Sequence, residues 1–154
     1  MFVKLIVLYI CIVGIYAFTC PGNSLPSLTN KPKCFLFVKE NQYFLKADEV
    51  CAKNGGKLVS IHNMLDNMFI TQEALKSFGV STSLDFWFGI SNLFSNNWSW
   101  SDSSLYDFEY WKDESSLNRT GAFCGSILIE SGKWINDNCM LKKPFVCSVP
   151  PLTL

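Results

Sequence analysis

The sequence predicts a single α+β domain in which two helices flank small antiparallel sheets, with a long loop and disulfide bridges that staple the chain. Two stretches of helical spacing occur in the first half of the 154-residue chain, and short segments with a period of two residues follow Gly79. Helices early and strands late, without βαβ alternation, are typical of the α+β class. The chain contains seven cysteines, from which the disulfide bridges can form.

The composition limits the classes of function. The chain has an apolar fraction of 49% and contains 13 Phe, 5 Trp and 5 Tyr, so it can fill a core and wholesale disorder is excluded. Its 13 basic residues equal its 13 acidic residues. No basic excess is available to bind a phosphate backbone, and nucleic acid is therefore not expected as a partner.

Residues 1–17 have the layout of a secretory signal peptide. Lys4 precedes an apolar run from Leu5 to about Ile15, and small or uncharged residues follow up to Ala17. A retained signal anchor is the alternative, but the run is shorter than the roughly 20 residues that a spanning helix needs. We expect a secreted, extracellular protein, residues 18–154, with no membrane span after cleavage.

Cleavage removes Cys11 and leaves an even number of cysteines. An even number in an exported domain predicts a disulfide framework, although spacing alone leaves fifteen pairings open. A zinc site would require short paired spacings such as C-x2-C, which are absent. The remaining cysteines are Cys20, Cys34, Cys51, Cys124, Cys139 and Cys147.

The first elements follow Cys34. Residues 34–38 are rich in strand-forming side chains, and residues 58–61 predict a second short strand. Between them, residues 45–54 predict a helix that Gly55-Gly56 ends. The residues at helical spacing on one face of this helix are Ala47, Val50, Cys51 and Asn54.

A second helix is predicted from its start signal. Asn63 offers an N-cap, and Asp66 stands three residues later as the capping-box partner. One face of this helix is formed by Leu65, Met68, Phe69, Gln72 and Leu75. The strands predicted after Gly79 are residues 86–90, 97–100, 126–129 and 144–147.

The stretch between Trp100 and Cys124 has no clear period and contains several aromatic and charged residues. A long unpatterned stretch in a small domain is usually a functional loop. We therefore expect the ligand-binding residues to lie here.

Five motifs lie in one order along the chain. They are G-G-x-L-V-x-I-H at 55–62, W-F-G-I at 87–90, W-S-W-S-D at 98–102, a segment opened by Trp134 and closed by Cys139, and K-P-F-V-C at 143–147. Together with the cysteines they resemble the C-type lectin-like domain of the long form. The resemblance covers nearly all of residues 18–154, with the core at 34–148, although Ser103 replaces the glycine usual after the third motif.

The resemblance implies one disulfide pairing among the fifteen. It pairs Cys51 with Cys147, Cys124 with Cys139, and Cys20 with Cys34 as the extra bridge of the long form.

The resemblance also implies where calcium would bind. In sugar-binding members, a carboxylate and an amide flank a cis-proline on the long loop, and a second Glu precedes the loop's closing Cys. Here Glu114 keeps the first carboxylate, but Ser115 replaces the proline and Ser116 replaces the amide. Ala122 stands in the place of the second Glu.

The remaining calcium ligands would come from the Asn-Asp pair after Trp134. Ile135 falls on the Asn and Asn136 on the Asp, and only a one-residue slip would make Asn136 and Asp137 the pair. The candidate metal ligands are thus only Glu114, Asn136 and Asp137. We expect the usual calcium site to be degraded and no cofactor to be required, with calcium binding as the alternative. Asp113, Glu114 and Asp137 could form another cation site or a solvated face.

Other candidate ligand-binding residues are aromatic. Tyr106 and Phe108 lie in the long loop, where they would either contact a ligand or fill the loop's own core, and Ser116 completes the candidate set. Trp111 matches a core position of the family. The same assignment applies to Trp87, Trp98, Trp100 and Trp134.

Three further residues are assigned from local sequence. His62, the only histidine, has no accompanying partner motif and is assigned a structural role. Asn97 and Asn118 each begin a glycosylation sequon. Asn118, in the long loop, is the better acceptor, because Asn97 adjoins a core tryptophan.

The expected function is that of a secreted recognition module that binds an extracellular glycan or protein ligand, with the usual calcium and sugar site degraded. A calcium-dependent carbohydrate-binding lectin is the alternative, and a hydrolase is a remote one. No enzyme is expected, because the chain has one histidine, no free thiol after bridging and no G-x-S-x-G motif. The setting that the resemblance implies is host defence, as in innate immunity, or cell-surface recognition.

Overall fold

Two helices and eight strands follow one another in the computed structural model, which describes residues 18–29, 31–79, 83–113 and 121–152. The signal peptide predicted at residues 1–17 lies outside them and stays a prediction. Within these ranges, no helix has the length and apolar character needed to cross a membrane. In chain order the elements are β1 Leu25–Pro26, β2 Cys34–Gln42, α1 Phe44–Lys53, β3 Lys57–Leu58, α2 Met64–Phe78, β4 Asp85–Ser91, β5 Ser99–Trp100, β6 Cys124–Leu128, β7 Trp134–Asp137 and β8 Lys143–Val149.

Helix α1 forms because its apolar residues repeat at helical spacing. Phe44, Ala47 and Cys51 are buried, while Glu49 on the outer face pairs with lysines one turn before and after it. The helix ends at Lys53 with Asn54 as its C-cap, and the next residue, Gly55, has a φ of 79° that a residue with a Cβ rarely adopts. The amide of Gly56 then donates to the Cys51 carbonyl at 3.0 Å and closes the last turn.

Helix α2 begins where the capping signal predicts. The Asn63 side chain accepts from the Asp66 amide at 2.8 Å, and its own amide group donates to the Asp66 carboxylate at 3.1 Å. These two bonds satisfy polar groups at the helix start that have no partner inside the helix.

The buried face of α2 differs from the predicted one. Leu65, Met68 and Leu75 are 52%, 63% and 42% exposed. The helix instead buries a stripe that includes two polar residues: Asp66, Asn67, Ile70, Ala74 and Phe78. The apolar face taken from the sequence is not the buried one, because α2 carries two apolar stripes. A count of apolar residues also gives no weight to a polar residue such as Asn67, whose amide is hydrogen-bonded inside the core.

Strand β8 organises the sheet. The strand order is β1-β2-β8-β4-β6-β7, with β3 also paired to β8 and β5 to β4. All pairings between these strands are antiparallel except that of β4 with β8, where Trp87 lies beside Phe145. The α+β class is confirmed, and the strands join into one mixed sheet.

Three disulfides staple this sheet to its surroundings. Cys51–Cys147 joins α1 to β8 across 96 residues, Cys20–Cys34 holds the N-terminal segment to β2, and Cys124–Cys139 joins β6 to the turn after β7. These are the pairs that the resemblance implies. The Cys51–Cys147 bond closes the longest loop, which removes about 4–5 kcal/mol of chain entropy from the unfolded state. Each of the two shorter loops removes about 3 kcal/mol.

Ser103 occupies a turn position that favours glycine. Its amide donates to the Trp100 carbonyl at 3.0 Å, which closes a tight turn after β5, and its φ is 61°. Left-handed backbone brings the Cβ of an L-residue close to the next carbonyl oxygen, and Ser103 therefore carries local strain.

We expect Ser103→Gly to stabilise the protein by about 0.5–1 kcal/mol, because glycine adopts this φ without steric cost. Urea unfolding with disulfides intact measures the change. Ser131→Gly is the control: Ser131 does not have a positive φ, so its replacement relieves no strain, adds backbone entropy to the unfolded state and removes the 3.3 Å bond from the Lys133 amide. Equal or lower stability of Ser103→Gly would contradict the assignment of strain.

Candidate functional site

The long loop packs on an aromatic cluster centred on Trp134. Trp134 is fully buried, and its indole nitrogen donates to the Asn67 side chain at 2.7 Å. Both its amide and its carbonyl are bonded to the loop, at Tyr110 and Lys112, by 2.9 and 2.8 Å bonds. The rings that surround it within 4.8–5.7 Å are Phe88, Trp100, Phe108 and Trp111. The start of β7 therefore anchors the described part of the loop.

The tryptophans assigned to the core differ in burial. Trp87 and Trp100 are 0% and 3% exposed. Trp98 and Trp111 are half-buried, and their rings lie 4.7 Å apart at the edge of the same cluster. The pair closes the cluster on the side of the loop.

Tyr106 and Phe108, the two candidate ligand residues, have different environments. Phe108 is half-buried with its ring edge-on to Trp134, so it fills the loop's own core. Tyr106 is 38% exposed, donates its hydroxyl to Glu109 at 2.9 Å and accepts from the Trp111 indole at 2.8 Å. Partial burial, together with the nearby Glu109 carboxylate, raises the pKa of Tyr106 to about 12, so its phenol stays neutral and keeps the bond to Glu109.

Asn136 and Asp137 lie on opposite faces of β7, since successive side chains of a strand alternate. The Asp137 carboxylate accepts from the Lys143 ammonium at 2.8 Å. Lys143 is 8% exposed and also pairs with Asp85, which in turn accepts from the Ser126 hydroxyl at 2.9 Å. A buried lysine thus neutralises the carboxylate of Asp137, one of the three candidate metal ligands.

Several candidates lie outside the described residues. Glu114, Ser116 and Asn118 all belong to residues 114–120, and their assignments stay predictions. Over the described ranges, no three His, Cys, Asp or Glu side chains are grouped in a way that could hold a metal ion. Asp113 is exposed, as is Asn97, the first residue of the other sequon.

His62 has partners that the sequence did not indicate. Its Nδ1 lies 2.6 Å from an Asp107 carboxylate oxygen, and its Nε2 lies 3.2 Å from the Ser104 hydroxyl. The hydrogen bond from His62 lowers the pKa of Asp107. These partners are 42 and 45 residues away in the sequence, so no local motif could have revealed them.

Asp102 completes this network. It accepts from the Ser60 hydroxyl at 2.6 Å and from the Ser104 hydroxyl at 2.5 Å. Partial desolvation raises the pKa of Asp102, but the hydrogen bonds from Ser104 and Ser60 outweigh it and the net shift is downward. Five side chains therefore join the segment after β3 to the segment after β5: Ser60, His62, Asp102, Ser104 and Asp107.

The order Ser104–His62–Asp107 resembles the nucleophile, base and acid of a hydrolase. The position of the Ser104 hydroxyl proton, however, does not suit hydrolysis. A serine hydroxyl has one proton to donate. The shorter bond of Ser104 is to Asp102, so the ring of His62 does not receive that proton. His62 is therefore not placed as the general base for Ser104, and the hydrolase alternative gains no support from this network.

The exposed stripe of α2 lines a groove of about 560 Å³ on another part of the surface. Leu65, Met68 and Leu75 form one wall, and Tyr110 and Ile129 lie opposite. The ammonium of Lys133 lies 3.6 Å from the centre of the Tyr110 ring. The groove is separate from the exposed ring of Tyr106, which does not line it.

Comparisons with known proteins agree with this geometry. The family model of the lectin C-type domain matches residues 40–149. Lithostathine of Bos taurus is 26% identical over 138 residues, which cover 84% of this chain and 76% of that protein. The galactose-specific lectin nattectin of Thalassophryne nattereri is 29% identical over 118 residues, or 75% of this chain and 73% of that protein.

The fold is also similar to solved structures. A calcium-independent type II antifreeze protein superposes with a TM-score of 0.70 over 90% of this chain and 99% of its own, at 20% identity. Identity this low shows likeness of fold alone.

We expect Lys143→Met to destabilise the protein by about 3–5 kcal/mol, because it leaves the carboxylates of Asp85 and Asp137 in partly buried positions without a counterion. Denaturant unfolding with disulfides intact measures the loss. Lys142→Met is the matched control: Lys142 is exposed and lies 5.0 Å from the Tyr43 ring centre, so its loss should cost less than about 1 kcal/mol. Equal losses in the two variants would show that Lys143 is not the buried counterion.

Proposed function

Since the chain belongs to the family of lectin C-type domains, we propose that it is a secreted recognition module that binds an extracellular glycan or protein without calcium. Binding rather than catalysis agrees with the relatives, which are lectin-like binding proteins. The three disulfides support an extracellular setting, because such bridges persist in oxidising compartments.

The observation that carries calcium independence is the ion pair between Asp137 and Lys143. Calcium takes six to eight oxygen ligands, several of them anionic. Asp137 is one of three candidate metal ligands, and its charge is already neutralised by an ammonium that is itself nearly buried. A calcium ion at Asp137 would have to displace Lys143, which would then lose its partners in a place that water barely reaches.

Tyr106 is the ligand contact that we propose in place of the metal. Its hydroxyl is bonded on both sides, so the ring is already ordered before a ligand binds. An ordered aromatic ring offers large contact area at low entropy cost, both to the face of a sugar and to a protein surface. Phe108 contributes indirectly, because it packs the loop beneath Tyr106 against Trp134.

The second candidate function is calcium-dependent sugar binding. It is favoured by the 29% identity to a galactose-specific lectin, and by Glu114, which keeps one carboxylate of the family's set. The fold by itself does not decide between the two functions, since a calcium-independent protein shares it.

We expect millimolar calcium to leave the melting temperature unchanged, and a chelator to leave the pattern of ligands captured on a glycan array unchanged. A site whose Kd is a hundredth of the calcium concentration would stabilise the fold by about 2.7 kcal/mol, which thermal unfolding detects easily. A rise in melting temperature that Glu114→Ala abolishes, and that the control Glu130→Ala leaves in place, would establish the calcium-dependent function instead.

We expect Tyr106→Ala to weaken capture of the glycan or protein found by screening by at least about tenfold, because it removes an ordered aromatic contact. Leu105→Ala is the control, since Leu105 is the adjacent residue and is 81% exposed. Surface-immobilised binding measures both variants, and circular dichroism checks that they are folded. Loss of binding in Leu105→Ala alone would assign the contact to a different side chain of the loop.

A further inference from the structure

We propose that His62 is a pH-sensitive positioning residue, which in its protonated form fastens the segment 102–107 to the scaffold and so steadies Tyr106. The consequence for ligand capture rests on the function proposed above. The fastening itself is a property of the hydrogen bonds and can be tested without any ligand.

The scaffold side of this attachment is rigid. The amide of Val59 donates to the Val146 carbonyl on β8 at 2.9 Å, and the Val59 carbonyl accepts from the Gly89 amide on β4 at 2.8 Å. Ser60, which follows, is 2% exposed. His62 therefore extends from a segment held between two central strands of the sheet.

The loop side is held by the network around Asp102. Asp102 accepts from Ser60 through one oxygen, and through the other from both the amide and the hydroxyl of Ser104, at 3.0 and 2.5 Å. This bond uses the single proton of the Ser104 hydroxyl. The oxygen of Ser104 therefore presents a lone pair, and not a proton, to the Nε2 of His62.

The proton count identifies the form of His62 that fits. Nδ1 lies 2.6 Å from the Asp107 carboxylate, which only accepts, so Nδ1 must carry a proton. Nε2 can bond to the Ser104 oxygen only if it carries a proton as well. Only the imidazolium makes both bonds at once, whereas a neutral ring must lose one of them or draw Ser104 away from Asp102.

Two carboxylates and two lysines lie around the His62 ring and its partners. The carboxylates are Asp107, bonded directly, and Asp102, bonded through Ser104, and the ring of Trp100 on β5 lies 5.7 Å away. Lys31 and Lys33 lie near enough to act on Asp107 and Asp102 respectively. Because the pKa of each carboxyl is lowered, both are ionised throughout the range in which histidines titrate.

The direction in which pH changes the attachment of residues 102–107 is set by the protonation of His62. Histidines titrate around pH 6.5 in the absence of perturbation. Protonation of the ring adds the second bond of His62, and deprotonation removes that bond, while Asp102 and Asp107 do not change charge. Tyr106 lies between Ser104 and Asp107, so its backbone is held at both ends in mild acid and loosened in mild base.

The test is hydrogen exchange of the amides in residues 102–107 at about pH 6 and about pH 8, corrected for intrinsic exchange rates. We expect protection about tenfold higher at the lower pH, because a bond from a charged donor is gained. As the only histidine, His62 also gives an unambiguous imidazole NMR signal, whose titration should follow the change in protection.

Two variants separate positioning from a general structural role. His62→Gln cannot become charged, and Ser104→Ala removes the oxygen to which the second ring proton would donate, so protection of residues 102–107 should not vary with pH in either. Asp113→Asn, which replaces an exposed carboxylate in the same loop, is the control and should behave like the wild type. If His62→Gln fails to fold, Ser104→Ala decides the question.

Equal protection at the two pH values in the wild type, or a pH effect that persists in His62→Gln or Ser104→Ala, would overturn the proposal. Ligand capture at the same two pH values separates this failure from failure of the proposed function. If protection changes with pH and capture does not, His62 still positions the segment, and Tyr106 is not the ligand contact. If protection does not change, the assignment of Tyr106 is unaffected.

Discussion

The disulfide between Cys51 and Cys147 is the constraint on which the remaining structure depends. It joins α1 to β8, and β8 in turn pairs with β2, β3 and β4. The segment after β3 then bonds to both β8 and β4 and carries Ser60 and His62 to the start of the long loop. The polar contacts at the start of the loop therefore depend on a segment that is bonded to the strand this disulfide joins to α1. Since the bond closes a loop of nearly a hundred residues, it also removes the largest share of unfolded-state entropy among the three bridges.

A nearly buried lysine balances the charge of two carboxylates near the end of β7. Lys143, which is the first residue of β8, supplies the positive charge between Asp85 and Asp137. Because this lysine is nearly buried, it links β8 to β4 and to β7 in a place where an unpaired carboxylate would be costly.

The described part of the long loop is attached to the scaffold at two places with different physical character. Near residues 110–112 the attachment is apolar and backbone-bonded, through the aromatic cluster around Trp134. Near residues 102–107 it is polar, and we propose that it depends on the charge of one imidazole ring. Tyr106 belongs to the second attachment but bonds to Trp111 in the first. Packing and hydrogen bonds thus both order the part of the loop around Tyr106.

The sequence by itself determined the α+β class, the start of α2 at Asn63, the end of α1 before Gly55 and, through the family's motifs, the disulfide pairing. These features depend on neighbouring residues or on a pattern spread along the chain, and both can be read without coordinates. Only the tertiary structure decided that α2 buries Asn67 and leaves Met68 exposed, that Asp137 faces Lys143, and that His62 meets Asp107. Those outcomes depend on sheet register and on contacts between residues far apart in the chain; in β7, for example, a shift of one residue would turn Asp137 to the opposite face.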